Sequence, residues 1–160
     1  MPSGLTKLTE LIGSGSDLRW NGLYTFDPAV AAFLDDKASG WRGTRTIPVT
    51  GLAAGPVTST SVTLTWLPIA YTSNAGGYQV FFALTPRGPY TLVTTTADKT
   101  AGSATAAGLP RGVTCYLVVR SVTHAHADNQ STVVSGQSAE VSVLTLGRRL
   151  RLHRSLKRVD

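Results

Sequence analysis

Apolar and polar residues alternate along the middle of the chain with the two-residue period of half-buried β-strands. The clearest run sends Val62, Leu64 and Trp66 to one face, with Ser and Thr residues between them on the other. Further segments are rich in β-branched and aromatic residues and are bounded by Gly, Pro, Ser or Asp, which favour turns. The pattern predicts seven short strands, near residues 49–53, 61–66, 77–82, 90–96, 104–109, 115–122 and 139–145.

Residues 1–46 precede this pattern and are predicted to form a separate N-terminal extension. Residues 19–26 supply enough apolar surface for a possible strand. A helix is predicted over residues 28–39, because Asp27 is a favoured N-cap residue and Pro28 a favoured first helical residue. Gly40 then stands where a left-handed residue commonly ends a helix.

Four segments within residues 47–145 resemble the fibronectin type III family. The second predicted strand ends in tryptophan followed after one residue by proline, as the family's second strand does with its core tryptophan. The third resembles the family's Gly-Tyr-x-Val-x-Tyr strand, with Phe82 in place of the last tyrosine. Residues 108–112 resemble the Gly-Leu-x-Pro-Gly corner, and residues 138–143 resemble the final strand. The resemblance implies an all-β fold, a seven-stranded immunoglobulin-like sandwich, flanked here by an extension with a short helix and by a basic tail.

One departure concerns the family's corner tyrosine, which hydrogen-bonds back to the chain upstream. Counted from Leu109, Cys115 occupies that position and Tyr116 follows it. Either the corner is remodelled by one residue or the hydrogen bond is missing.

The charge of the chain is concentrated at its C-terminal end. The formal net charge is +6, but six of the fifteen basic residues lie in the last thirteen positions, so the rest of the chain is nearly neutral. Residues 146–160 are therefore a basic tail that could contact nucleic acid, an anionic membrane or an acidic groove of an assembly, or could be merely solvated. The candidate anion contacts are Arg148, Arg149, Arg151, Arg154, Lys157 and Arg158.

The pattern His124-Ala-His126-Ala-Asp128 is the main candidate for chemistry. Residues two apart on a strand share a face, so the two imidazoles and the carboxylate could bind a zinc-like ion. The favoured alternative is a polar loop between the last two predicted strands, because short motifs of this kind are weak. Cys115 is expected to be a buried, inert thiol, and the acids form no facing pair. The sequence thus predicts no enzyme and no cofactor.

A candidate partner surface lies on the outward side of the third and sixth predicted strands. Phe81, Tyr116, Val118 and Val122 alternate with core positions there, and an exposed apolar patch marks an interface. Two occupants remain open: the chain's own N-terminal extension, whose aromatic residues also need a partner, or another subunit. The candidate residues are Phe81, Tyr116, Val118, Val122, Trp20 and Trp41.

Two classes of function follow. The first is a non-catalytic interaction or structural module that docks onto or spaces a larger extracellular, cell-surface or virion assembly. The second is a binder of nucleic acid or an anionic surface through the tail, and an accessory module of a secreted polysaccharide-degrading enzyme is a further alternative. No apolar run has the length of a membrane span. Residues 1–12 lack the features of a secretory signal, which leaves another export route, a fragment or a particle assembled inside a cell.

Overall fold

The computed structural model describes residues 6–7 and 16–147, which contain two short helices and eight β-strands. Each of the seven predicted strands is present, with bounds shifted by a few residues, and one very short strand is additional. The elements are helix α1 (Pro28–Lys37), a 3₁₀ helix (Trp41–Thr44), β1 (Thr50–Val57), β2 (Ser61–Leu67), β3 (Gly76–Ala83), β4 (Thr91–Thr95), β5 (Ser103–Ala107), β6 (Thr114–Thr123), β7 (Val133–Val134) and β8 (Val141–Leu144).

The strands form two antiparallel sheets, which confirms the predicted sandwich. One sheet has the order β1-β2-β5, and the other has the order β4-β3-β6, with β7 and β8 both paired to β6. Between β7 and β8 the hydroxyl oxygens of Ser135 and Ser138 accept hydrogen bonds from the backbone N–H groups of Ser121 and Val119. The two pieces are therefore one edge strand interrupted by side-chain hydrogen bonds, and this explains the extra strand.

The core lies between the two sheets, as the alternating pattern predicted. Val62, Leu64 and Trp66 are each at most 4% exposed. The Trp66 ring packs against the Tyr78 ring with centroids 5.3 Å apart. The Tyr78 hydroxyl donates to the carbonyl oxygen of Lys99 and accepts from the N–H of Ile69, both at 2.9 Å, so the buried phenol has partners on two loops.

The corner before β6 is held by a threonine from the end of β8. The Thr145 hydroxyl donates to the Pro110 carbonyl oxygen at 2.6 Å and accepts from the Val113 N–H at 3.2 Å. Cys115 is fully buried in the core, and Tyr116 lies half-buried on the outward side of β6. The Thr145 hydroxyl, which comes from the end of the chain's last described strand, therefore ties the corner to the Pro110 carbonyl.

The N-terminal extension contains the predicted helix. The Asp27 carboxylate accepts hydrogen bonds from the N–H groups of Ala29 and Val30 and so caps α1. The helix ends two residues earlier than predicted, at Lys37. Val30 and Leu34 are buried with Trp41 in a small apolar cluster of their own, distinct from the core of the sandwich.

The possible strand over residues 19–26 is not present, so that prediction was wrong. Trp20 has a left-handed φ of 51°, which breaks an extended run. Its N–H bonds to the Thr44 hydroxyl at 2.9 Å, and the N–H of Leu23 bonds to the Asn21 side chain at 2.7 Å. Side chains thus take backbone groups that a sheet partner would need.

Candidate functional site

The predicted apolar face of the larger sheet is present, but most of it is not open to solvent. The register pairs Phe81 with Val118 and Gly77 with Val122, which places these side chains on the outward side of β3 and β6. Val118 is 1% and Val122 4% exposed, while Phe81 is half-buried. The expectation of four exposed apolar residues therefore does not hold for the two valines.

The loop between β3 and β4 is bonded to the segment that precedes β8. The Arg87 N–H donates to a carboxylate oxygen of Glu140 at 2.8 Å, and the Tyr90 hydroxyl donates to the same oxygen. Glu140 directly precedes β8, whose first residue pairs with Leu117, so its carboxylate lies at the level of Val118. Since β3 and β6 separate β4 from β8, these bonds join segments next to two strands that are not neighbours in the sheet.

This contact shifts the pKa values of both Tyr90 and Glu140. Burial first, and then the hydrogen bond to Glu140, raise the pKa of Tyr90 to about 12. The same hydrogen bond, together with the Arg87 N–H, lowers the pKa of Glu140. The guanidinium of Arg120 lies over the Phe81 ring, 5.3 Å from its centroid.

The N-terminal extension packs elsewhere, at the edge of the sandwich. The Asn129 side chain donates to the Trp20 carbonyl oxygen, and the Trp20 ring meets the His126 ring edge-on at 6.5 Å. The hydroxyls of Thr46 and Thr123 share a buried hydrogen bond of 2.7 Å. Trp41 is 1% exposed in the helix cluster. Both tryptophans proposed as partner contacts are therefore engaged within the chain.

The three candidate metal ligands do not converge. His126 lies 3.7 Å from the Asp128 carboxylate through Nδ1 and 3.4 Å from the Tyr71 hydroxyl through Nε2, whereas His124 is exposed. Strand β6 ends before His124, and a turn closes from His126 to Asn129, so the two-residue alternation does not continue. Within residues 6–7 and 16–147 no group of three His, Cys, Asp or Glu side chains could hold a metal ion.

A buried lysine is the polar feature that the sequence pattern did not reveal. Lys99 is 1% exposed, and its ammonium group donates to the Ser73 carbonyl oxygen and, at 3.1 Å, to the Thr123 hydroxyl. It also lies 3.7 Å from the centroid of the Tyr71 ring. Burial lowers the pKa of Lys99 to about 8. No sequence signal marks this lysine, because it follows a turn and belongs to no periodic segment.

The outer face of the three-stranded sheet carries no charge. Residues 46–86 and 100–110, which include β1, β2 and β5, contain no Asp, Glu, Lys, Arg or His. Thr65 and Leu67 are exposed on β2, the latter at 64%, and the Thr63 and Thr105 hydroxyls share a hydrogen bond of 3.2 Å across the strands. Exposed sheet edges are usually protected by charged residues, so an uncharged sheet is suited to contact with another surface.

A groove lies where the N-terminal extension meets the edge of the sandwich. It has a volume of about 540 Å³ and is lined by residues 24–26, Arg42, Arg45, residues 47–52 and residues 137–139. Phe26, at its rim, is 93% exposed. The basic tail at Arg148, Arg149, Arg151, Arg154, Lys157 and Arg158 lies outside the described residues.

In the described part of the chain, no helix is both long and apolar enough to span a membrane. No family model matches the chain, and no curated sequence matches it either.

Solved structures do match. The fibronectin type III domain derived from human KIAA0970 protein aligns over 88% of this chain and 96% of its own, with a TM-score of 0.50 and 16% identity. The FN1–FN3 domains of chicken CNTN1 align over 63% of this chain with a TM-score of 0.50 and 14% identity, and the match spans only 31% of their length. An Fn3-like protein from Clostridium thermocellum is 26% identical over 65% of this chain, with a TM-score of 0.47. Together with the strand order, the two likenesses with a TM-score of 0.50 show the fold: the β-sandwich of this chain has the fibronectin type III fold.

Proposed function

We propose that this chain is a non-catalytic interaction or structural module that docks onto, or spaces, a larger extracellular, cell-surface or virion assembly. The fibronectin type III fold is that of a generic protein-interaction or structural module. The observation that carries the proposal is the uncharged three-stranded sheet, with Leu67 exposed on its outer face. Such a face can approach another protein surface without burying an unpaired charge.

The side chains that first suggested chemistry have structural partners. His126 contacts Tyr71, Trp20 and Asp128, and the thiol of Cys115 is fully buried, where burial raises its pKa. A thiol with a raised pKa is a poor nucleophile at neutral pH. These placements favour a binding role over a catalytic one.

A charge placed on the uncharged sheet tests the proposal. Thr65→Lys adds a cation to the exposed face of β2, and Thr95→Lys is the matched control, since Thr95 is an exposed threonine on the other sheet. In lysates of the cells that produce the protein, the wild type and the control should sediment with an envelope or particle fraction. The Thr65→Lys variant should stay in the soluble fraction. Wild-type protein found only as a free monomer would contradict the proposal.

The basic tail supports a second candidate function, because six cations lie within the last thirteen residues. A contact with nucleic acid or an anionic surface through Arg148, Arg149 and their neighbours would weaken steeply as salt is raised. The measurement is binding to a duplex oligonucleotide and to anionic vesicles, with a chain ending at residue 147 as the control. Equal binding by the shortened chain would rule this function out.

A further inference from the structure

The groove beside the N-terminal extension has an apolar wall that faces water. The Phe26 side chain is 93% exposed, and its ring meets the Tyr24 ring edge-on at 5.8 Å, with Tyr24 itself 38% exposed. Burial of a phenylalanine side chain is favourable, because it removes a large apolar surface from water. Phe26 stays exposed in the folded chain, so a ligand whose apolar group covers the Phe26 ring would be stabilised by this burial.

The lining also includes a cation, Arg45, for which the described part of the chain provides no ion-paired carboxylate. The guanidinium of Arg45 lies 4.6 Å from the centroid of the Trp41 ring, and its Nε donates to the Arg42 carbonyl oxygen at 3.1 Å. The nearby Asp35 carboxylate is already bonded to Arg42, at 2.6 and 2.8 Å, and to the Trp41 indole at 2.9 Å. Among the described residues no carboxylate forms an ion pair with Arg45.

Burial lowers the pKa of Arg45, as expected for a partly desolvated cation, although the group remains charged near neutral pH. A ligand carboxylate would restore the favourable interactions that water no longer supplies, and arginine pairs with carboxylates in bidentate geometry. The charge of the groove therefore favours an acidic ligand.

The lining includes one edge of a strand. β1 is the outer strand of its sheet, and no described strand pairs with the side that faces away from β2. The register with β2 is irregular between Thr50 and Ala53, where Gly51 has a φ of 67°, so a peptide could pair with only a short stretch of this edge. Residues 137–139, in the interruption between β7 and β8, border the groove on the far side. A free strand edge recognises the backbone of an extended peptide, and neighbouring side-chain pockets select its sequence.

We propose that this groove binds an extended peptide segment of a partner protein in which an acidic residue stands next to an aromatic or aliphatic one. The carboxylate pairs with Arg45, the apolar side chain packs on Phe26 and Tyr24, and the peptide backbone pairs with the edge of β1. The chain's own tail is disfavoured because six of its residues are cations that Arg42 and Arg45 would repel, but it ends in Val159-Asp160, which matches the motif. A chain ending at residue 147 is therefore titrated beside the full chain, and peptide binding seen only after that removal would assign the groove to the tail and overturn the proposal. The inference rests on the proposed interaction function and names the partner's chemistry.

Two capped pentapeptides test the inference: acetyl-Thr-Phe-Glu-Val-Thr-amide and the same peptide with Gln in place of Glu. Titration calorimetry with the full chain should show saturable binding of the Glu peptide and affinity weaker by about tenfold or more for the Gln peptide. Amide resonance shifts in nuclear magnetic resonance should map to residues 24–26, 45–52 and 137–139. Shifts confined to another surface, or no binding of either peptide at millimolar concentration, would overturn the proposal.

Two variants, each with a matched control, test the contributions of Phe26 and Arg45 separately. Phe26→Ala removes an exposed side chain and should leave the fold intact, with Leu144→Ala as its control because Leu144 is 64% exposed on β8. Arg45→Gln should abolish the preference for Glu over Gln, with the exposed Arg111→Gln as its control. The melting temperature of each variant shows whether it is folded. Unchanged affinity in Phe26→Ala would count against the groove.

A chain lacking residues 1–15 decides between occupants. Equal affinity of the full and shortened chains for the Glu peptide supports a partner segment, whereas binding seen only after the removal would assign the groove to the chain's own N-terminal segment and overturn the proposal. The peptide-binding proposal and the proposed interaction function can fail separately. A chain that assembles through the uncharged sheet but binds neither peptide would contradict only the peptide-binding proposal.

Discussion

The hydroxyl of Tyr90 donates a hydrogen bond to the carboxylate of Glu140, fifty residues later in the chain. The bond ties the β3–β4 loop to the segment before β8, at the level of Val118, which is 1% exposed. The apolar patch that the sequence predicts is therefore only partly open: Val118 and Val122 are buried, whereas Phe81 and Tyr116 are half-buried. The uncharged sheet and the groove at Phe26 are further surfaces that are open to a partner.

Tyr90→Phe should loosen the loop while keeping the ring. The variant leaves the carboxylate oxygen of Glu140 with only the Arg87 N–H, so we expect a melting temperature lower by a few degrees and faster hydrogen exchange of the Arg87 amide. Tyr24→Phe is the control, since the ring of Tyr24 lies at the groove and not on this face. Equal losses in both variants would show that the contact with Glu140 contributes nothing specific.

Removal of the Thr145 hydroxyl should destabilise the corner before β6. Thr145→Val is nearly isosteric but leaves the Pro110 carbonyl and the Val113 N–H without their partner at a site that is 1% exposed. An unsatisfied buried group costs about 1–3 kcal/mol, and we expect a loss of that order in urea unfolding. Thr95→Val, on an exposed strand position, should lose far less.

Lys99 should make stability rise with pH in the alkaline range. Its pKa is about 8 in the folded chain and 10.5 in the reference state, so between these values the unfolded chain binds more protons. Unfolding free energy should then increase with pH, with a slope of up to about 1.4 kcal/mol per pH unit for one proton. Below pH 8 both states carry the charge and this dependence vanishes.

The measurement is urea unfolding of the wild type and Lys99→Met across that range. The raised pKa values of Cys115 and Tyr90 act with the opposite sign, because the folded chain keeps those protons longer. Both groups are present in both proteins and cancel in the difference of the two slopes. A difference that does not increase with pH would refute the assignment to Lys99.

Asp35 should contribute stability that is lost in acid. Hydrogen bonds from Arg42 and then from the Trp41 indole lower the pKa of Asp35 to about 2, from a reference value of 3.8. This contribution is fully present above pH 3.8 and disappears as the pH falls through 2. Asp35→Asn should therefore flatten the acid limb of the stability curve and change the fluorescence of Trp41.

Asp36→Asn is the matched control, because the neighbouring carboxylate pairs only with the adjacent Lys37 and its side chain is 72% exposed. An acid limb that Asp35→Asn and Asp36→Asn alter equally would mean that the bonds to Trp41 and Arg42 do not stabilise the extension.

Local patterns predicted the strands and the helix because their causes are local. Val62, Leu64 and Trp66 alternate with polar residues, and Asp27 caps its helix through groups two and three residues away. The strand predicted over residues 19–26 was wrong. The apolar content of this segment is typical of a strand, but composition does not reveal the left-handed backbone of Trp20. The two-residue strand β7 was too short to show a period.

The sequence by itself determined the sandwich, its core and the capped helix, since each depends on residues a few positions apart. Only the tertiary structure decided that Tyr90 reaches Glu140, that Lys99 is buried against Tyr71, that His124 separates from His126, and that the extension forms a groove with β1. Most of these relationships join residues that are distant in the chain. The side chains of His124 and His126 do not share a face because β6 ends at Thr123 and a turn follows. These contacts depend on how the chain folds in three dimensions, and no periodic pattern in the sequence predicts them.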